Sequence, residues 1–186
     1  MQDLSTPVPN AQPMRDERPL AEDIDWPFFD PAFAVPLAAR LQIRPLLTSA
    51  ATALWSKHVS ATPAERHAML LPVTHWLHAH SKAAGPNWQL EEQAGAVAAF
   101  VRQGLATAAG ADVYFVTMRE QAWRVRVETF LAHWLAFLSL DDEAPFALDT
   151  ASGRCVAFGP QGGLFSANKF INRAATADPT FYQGKK

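Results

Sequence analysis

The sequence predicts a mainly α fold, a single-domain bundle of four to five helices with a small C-terminal β-hairpin and a flexible N-terminal arm. Three observations predict this fold. Apolar residues recur at helical spacing over several long segments. Residues that start and stop helices flank several of these segments. After Pro145, two short apolar runs enclose a four-residue polar loop, as they do in a hairpin.

Composition and charge exclude several classes of protein. Of the 186 residues, 49% are hydrophobic and 18% are charged, which is ordinary for a folded globular chain. The single cysteine, Cys155, excludes an internal disulfide and a cysteine-based zinc cluster. A net charge of −2 disfavours nucleic acid as a partner, because neutralising phosphates requires a positive surface. The sequence has no secretory signal and no apolar run long enough to cross a bilayer, so we expect a cytoplasmic protein that does not enter a membrane.

The chain divides into three predicted regions. Residues 1–25 contain four prolines among mixed charges, which predicts an extended or disordered arm. Residues 26–173 form the predicted helical domain, with its hairpin at about 146–158. Residues 174–186 form a polar tail.

Three helices are predicted in the first half of the domain. A short helix starts at Pro31 with Asp30 as its N-cap. A second runs from Pro45 to about His58, where apolar residues fall at helical spacing. The third begins at a capping box, runs from Thr62 to about Ala84, and is bent by Pro72, which removes a backbone donor.

The second half of the domain mixes helices with short strands. Its predicted elements are a helix from about Trp88 to Ala109 ended by Gly110, a strand from Asp112 to Thr117, a long helix from about Met118 to Leu140, the hairpin strands Phe146 to Asp149 and Arg154 to Phe158, and a short helix around Ser166 to Arg173. A strand is favoured at 112–117 because β-branched and aromatic residues predominate there.

An acidic and aromatic segment lies between the arm and the first helix. Its residues Trp26, Phe28 and Phe29 stand among acids and prolines, and regular structure is not expected there. A segment of this kind can dock into a groove of another protein. It can equally pack against the helices of its own chain, and the sequence leaves both alternatives open.

Two histidines are the strongest candidates for a metal site. His75 and His78 are three residues apart on a predicted helix, a spacing that can chelate one metal ion. The third ligand would have to come from elsewhere, for example His133 or Glu128. We favour instead imidazoles that lie on a partly solvated face, or one or two that are satisfied by hydrogen bonds in the core, because two histidines rarely hold a metal without further ligands. We therefore expect no metal or other cofactor.

Three arginines form a modest basic patch on the predicted long helix. Arg119, Arg124 and Arg126 could contact an anion or a nucleic acid. The favoured alternative is pairing on the helix surface, with Glu120 and Glu128 one turn from Arg124.

The sequence carries no paired catalytic groups and no phosphate-binding loop, and Cys155 is expected to be a buried structural cysteine. It therefore favours a non-catalytic accessory or protein-interaction protein, such as a subunit, adaptor, chaperone or immunity-type binder, with another protein as its partner. One alternative is a metal- or small-ligand-binding helical bundle that uses His75 and His78. Another is a nucleic-acid-associated protein that uses the three arginines.

Overall fold

Six antiparallel strands form the centre of the protein in the computed structural model, which describes residues 16–78, 85–141 and 143–169. The strands are β1 (Arg44–Pro45), β2 (Asp112–Met118), β3 (Gln121–Arg126), β4 (Phe146–Asp149), β5 (Arg154–Phe158) and β6 (Leu164–Asn168). They are arranged in the order β1-β3-β2-β4-β5-β6, and every neighbouring pair is antiparallel.

Helices cover both faces of this sheet. The α-helices of the described residues are α1 (Leu37–Arg40), α2 (Thr48–His58), α3 (Ala94–Leu105) and α4 (Val127–Leu138). Short 3-10 turns are Trp26–Phe28, Pro31–Phe33, Ala68–Leu70, Glu91–Gln93 and Pro160–Gly162. None of the helices in this described part of the chain is long and apolar enough to cross a membrane.

Strand alternation divides the core into two clusters. On one face, Val113 and Phe115 of β2 pack with α3, α4 and the segment around α1. On the other face, Val116 of β2 packs with α2 and with buried residues of the segment 59–78, among them Trp76. The result is a sheet between two layers, one containing α1, α3 and α4 and the other containing α2 and residues 59–78.

The mainly α bundle predicted from the sequence is wrong, because a six-stranded sheet organises the chain and the fold is mixed α/β. The decisive error is the helix predicted from Met118 to Leu140. The structure forms β3 first and begins α4 only at Val127. Trp123 and Val125 alternate with polar residues as a strand requires, but Trp123 also lies four residues before Val127 and so continues the helical spacing of α4.

The helix predicted from Thr62 to Ala84 is also wrong over its described part, where only the 3-10 turn Ala68–Leu70 is helical; residues 79–84 lie outside the described residues. Ser60 accepts a hydrogen bond from the backbone of Thr62 (3.1 Å) and bonds to Glu65, so Thr62 caps no helix. His67 accepts from the amide of Met69 at 3.2 Å. Such side-chain bonds give the backbone an alternative to the helix, and no bent helix surrounds Pro72.

Elements with a strong local pattern are confirmed, two of them with changed bounds. The strand beginning at Asp112 and the hairpin of β4 and β5 are present. The helix predicted from Pro45 to His58 is α2, which begins at Thr48 because Pro45 belongs to β1. The short helix predicted from Pro31 is a three-residue 3-10 turn, in which the carboxylate of Asp30 accepts from the amide of Ala32 at 2.8 Å. Helix α3 is shorter than predicted, since Ala106, at a φ of 47°, ends it before Gly110. The short helix predicted from Ser166 is replaced by β6 as far as Asn168, and residues 170–173 lie outside the described part.

Residues 16–25, the described part of the predicted arm, extend the β1 edge of the sheet. The amide of Arg18 donates to Pro45 and that of Leu47 to Asp16, at 2.9 and 2.8 Å. Asp25 is fully buried, and its carboxylate accepts from both ends of the Arg18 guanidinium and from Trp123 Nε1. Residues 1–15 and 170–186 lie outside the described residues, so the predicted polar tail is not described.

Candidate functional site

The aromatic segment is divided between the core and the surface. Phe28 is 1% exposed and meets the ring of Phe137 edge to face, with centroids 4.8 Å apart. Phe29 is partly buried, and the guanidinium of Arg40 lies 4.9 Å from its ring centroid. Trp26 is 47% exposed, and its ring centroid lies 6.2 Å from that of Phe33. Of the three residues, Trp26 alone offers a large apolar surface to solvent.

An apolar surface continues from Trp26 along the next turn and α1. We define it by Trp26 and by the exposed residues Pro31, Ala32, Ala34, Pro36, Leu37, Ala38 and Leu41. No charged residue occurs between Asp30 and Arg40. Leu37 begins α1 and Leu41 is its C-cap, one turn later; the two side chains are 64% and 57% exposed.

Local sequence explains why these residues face outward. Asp30 caps the turn Pro31–Phe33, and Ala34 ends it in a left-handed conformation with a φ of 48°. Val35 and Ala39 then enter the core beside α4, and this leaves the residues between them on the outside. The buried side chains of Val35 and Ala39 therefore fix the apolar surface to the core.

The three predicted arginines are engaged within the chain. Arg124 Nε donates to Glu17 and its Nη1 donates to Asp112, both at 2.6 Å, and these bonds raise the pKa of the guanidinium. Arg126 pairs with the same Asp112 at 3.2 Å. Arg119 donates to the carbonyl of Thr62 and to the hydroxyl of Ser56, both at 2.9 Å.

The helix-surface pairing predicted for Arg124 does not occur, because Arg124 lies on strand β3 rather than on a helix. Glu120 pairs instead with Arg66 at 3.0 Å. Glu128 accepts from the amide of Gly110 at 2.8 Å, and this bond lowers the pKa of its carboxyl group.

The two predicted metal ligands lie in turns, where the helical spacing argument does not apply. His75 Nε2 lies 3.1 Å from the carbonyl of Val59, and Nδ1 accepts from the amide of Leu77 at 3.2 Å. Both ring nitrogens of His75 are thus engaged with the backbone. Among the described residues, no three histidine, cysteine, aspartate or glutamate side chains lie together as a metal ion would require. His78 is therefore part of no such group.

Cys155 lies on β5 in the core between the sheet and α2. Its burial raises the pKa of the thiol to about 12. The thiol therefore stays protonated at neutral pH, whereas a cysteine nucleophile must form a thiolate.

A cleft that the sequence did not indicate lies between α2 and the sheet. It has a volume of about 340 Å³ and is lined by Asp16, Glu17, Leu46, Ala50, Ala53, Leu54, Lys57, His58, Tyr114, Arg124 and Thr150. Burial raises the pKa of Tyr114, and burial followed by the charges of Lys169 and Lys57 lowers the pKa of His58. Perturbed groups that converge on a concave surface are typical of binding sites.

One signal in the sequence does locate one wall of this cleft. Ala50, Leu54 and Lys57 recur at helical spacing and so share a face of the confirmed helix α2. The opposite wall is formed by Tyr114 and Arg124, which are register partners on β2 and β3. That pairing depends on β3, which the sequence analysis placed in a helix.

Fold and surface together define a mixed α/β protein that presents an apolar surface beside its α1 helix. The chain belongs to the family described as "Protein of unknown function (DUF2947)", whose family model matches residues 21–164. The match covers the whole apolar surface and most of the cleft. No curated protein and no solved structure matches the chain.

Proposed function

We propose that this protein is a non-catalytic accessory or interaction protein that binds another protein through the apolar surface. The observation that carries the proposal is the composition of that surface: all eight residues that define it are apolar and exposed, and no charge interrupts it between Asp30 and Arg40. Extended exposed apolar patches on a folded protein mark interaction sites, whereas single exposed leucines need no explanation.

The energetics favour a protein partner for this surface. Burying a leucine completely is worth about 1.5–3 kcal/mol, and Leu37 and Leu41 each keep more than half of their surface exposed. Trp26 adds a large ring, and tryptophan is enriched among the residues that dominate protein interfaces. A partner that covers these three side chains gains several kcal/mol from apolar burial alone.

The apolar surface is already ordered before a partner binds, because buried residues anchor it. Val35 and Ala39 are buried beneath it, and Phe28 fixes its beginning against Phe137. A surface that is already ordered loses little conformational entropy on binding, which favours affinity. The proposal includes a cytoplasmic location, which rests on the sequence alone.

The alternatives that use histidines or arginines have less support. The ring nitrogens of His75 are already bonded to the backbone, and the guanidinium of Arg124 is shared between two carboxylates. Neither arrangement leaves these side chains available for a metal ion or for a run of phosphates. No specific observation favours either alternative function.

The test is quantitative binding with variants of the apolar surface. The full chain is used to purify partners from native host cells, and each protein captured is then produced separately and titrated against it by calorimetry. We expect Leu37→Ser with Leu41→Ser to raise the Kd at least about a hundredfold, or about 2.7 kcal/mol. The urea midpoint should stay nearly unchanged, because both side chains are exposed.

The matched control is Met69→Ser with Leu70→Ser. These side chains are 54% and 61% exposed, and they belong to the layer on the other face of the sheet. The control should bind with the wild-type Kd. The proposal fails if no purified partner binds directly, or if the control weakens binding as much as the Leu37 and Leu41 variant does.

A further inference from the structure

We propose that a cavity at the C-terminal end of α4 binds a small organic cation, a molecule with an apolar body and one ammonium group. The cavity measures about 510 Å³, within the range of about 300–1,000 Å³ that is usual for small-molecule sites. It is lined by Trp88 and Gln89 and by residues of the segment 135–141. None of these residues belongs to the apolar surface or to the cleft beside α2, so the inference is independent of the proposed function.

The walls of this cavity suit the apolar body of such a ligand. Leu135 is 48% exposed, although most other apolar side chains of α4 are buried. Trp88 lines the same space and is held by its indole nitrogen, which donates to the carbonyl of Gly159 at 3.0 Å. An apolar group that covers these side chains displaces water from them, and an indole ring can also attract a cation.

The polar groups around the cavity are mostly hydrogen-bond acceptors. The hydroxyl of Ser139 already donates to the carbonyl of Leu135 at 3.0 Å, so its oxygen is left to accept. Helix α4 ends at Leu138, and the last carbonyls of a helix give that end a partial negative charge. The ionised carboxylate of Asp141 only accepts, whereas the amide of Gln89 can accept or donate. An ammonium group, which only donates, complements this lining.

Among the described residues that line the cavity, only Asp141 is charged. Its Oδ1 accepts from the amide of Glu143 at 2.9 Å, and its Oδ2 lies 3.5 Å from Nε2 of His67. Nδ1 of His67 accepts from the amide of Met69 at 3.2 Å, so the ring hydrogen resides on Nε2 and the imidazole is uncharged. In the part of the chain that the structure describes, no lysine or arginine forms an ion pair with Asp141. The carboxylate therefore keeps a negative charge that a ligand cation can balance.

The same lining favours an organic cation over a metal ion. A metal ion needs several oxygen, nitrogen or sulfur ligands around it, and the described residues offer no group of three such acidic, histidine or cysteine side chains. An ammonium group needs only one carboxylate and a few further acceptors. The leucine and tryptophan side chains, which cannot bind a metal ion, contact the body of an organic cation.

The experiment titrates the full, isotope-labelled chain with phenethylammonium at slightly alkaline pH and follows backbone amides by NMR. Phenethyl alcohol has the same body without the charge, and ethylammonium has the charge without the ring. We expect saturable shifts from phenethylammonium at Trp88, at Gln89 and over residues 135–141. Asp141→Asn should raise the Kd for phenethylammonium about tenfold, equivalent to about 1.4 kcal/mol, and should leave the weaker binding of phenethyl alcohol unchanged. Leu135→Ala should weaken the binding of both.

Glu128→Gln is the matched control, because it removes one exposed carboxylate from the first turn of the same helix, at the end away from the cavity. The amide oxygen of the new side chain can still accept from Gly110. This control, and Leu37→Ser with Leu41→Ser on the apolar surface, should keep the wild-type Kd for phenethylammonium. The inference is overturned if phenethylammonium gives no saturable shift, if the shifts lie outside the cavity, or if either control weakens binding as much as Asp141→Asn does. It is also overturned if phenethyl alcohol or ethylammonium binds as tightly as phenethylammonium.

Discussion

The two layers both pack an apolar cluster against the sheet, but they differ in how much regular structure they contain. In the layer of α3 and α4, three fully buried rings, Phe115, Phe130 and Phe137, pack against one another with centroids 5.1 to 5.8 Å apart. In the other layer, residues 59–78 contain little regular structure, and side chains such as Arg119 bind their backbone directly. Apolar packing depends on the volume that side chains fill, whereas a hydrogen bond depends on particular atoms. The first layer should therefore respond to lost volume and the second to lost donors.

The largest effect is expected for Phe137→Ala in the packed layer. The ring of Phe137 contacts Phe28, Phe115 and Phe130, so its loss opens a cavity among rigid neighbours. We expect the free energy of unfolding to fall by about 3–5 kcal/mol, measured by urea denaturation. Leu135→Ala on the same helix is the control, because Leu135 is 48% exposed, and its cost should be much smaller. Similar losses for the two variants would contradict the packing described for this layer.

A smaller and more local effect is expected for Arg119→Ala. Arg119 donates to the carbonyl of Thr62 and to the hydroxyl of Ser56, both at 2.9 Å, and so joins residues 59–78 to α2 and to the turn after β2. We expect a loss of about 1–3 kcal/mol and faster hydrogen exchange in residues 59–78 than in α3. Arg102→Ala removes an exposed arginine and should change neither quantity. Uniformly faster exchange in both layers would show that the layers are not held separately.

The smallest effect is expected from pH, through His75. The amide of Leu77 donates to Nδ1, so the hydrogen resides on Nε2 and the ring is neutral. Burial is the main cause that lowers the pKa of His75 from 6.5 in the folded state. Below pH 6.5 the unfolded chain therefore binds more protons, and stability falls as the pH drops from 6.5 toward the lower folded-state pKa. The urea midpoint should decrease over this interval, and His75→Gln should flatten the dependence; an equal slope in both proteins would contradict the assignment.

The sequence predicts those elements whose pattern has one interpretation. Helix α2 and the hairpin of β4 and β5 were found because their periods of 3.6 and 2 were not in competition. Strand β3 was missed because Trp123 satisfies both periods at once and no turn residue separates Arg126 from Val127. Hydrogen-bonded pairing with β1 and β2 makes residues 121–126 a strand, and that pairing is not visible in the local sequence.

The positions of the site residues likewise depend on contacts that the local sequence does not show. Trp26 and Phe28 are two residues apart in one aromatic segment, and only the position of Phe137 in the fold sends Phe28 inward. The sequence grouped three arginines on one predicted helix, but Arg119 binds Thr62 and Ser56, whereas Arg124 and Arg126 share Asp112. Glu17 reaches Arg124 from a position 107 residues earlier in the chain. Tyr114 lines the cleft beside Arg124 because the two are register partners, and this pairing is not visible in the sequence, where the residues of β3 continue the helical spacing of α4.

The buried carboxylate of Asp25 has a consequence for the order in which the protein is made. Its hydrogen bond from Trp123 joins residues 98 positions apart, and the bond from Arg124 to Glu17 spans 107. A ribosome synthesises the earlier partners first, so Glu17 and Asp25 emerge with no guanidinium or indole from β3 to receive them. Asp25 can pair with Arg18 before then, but the edge of the sheet can close only after β3 has left the ribosome. Contacts so distant in sequence carry a large loop-closure cost and slow the folding of the chains that depend on them.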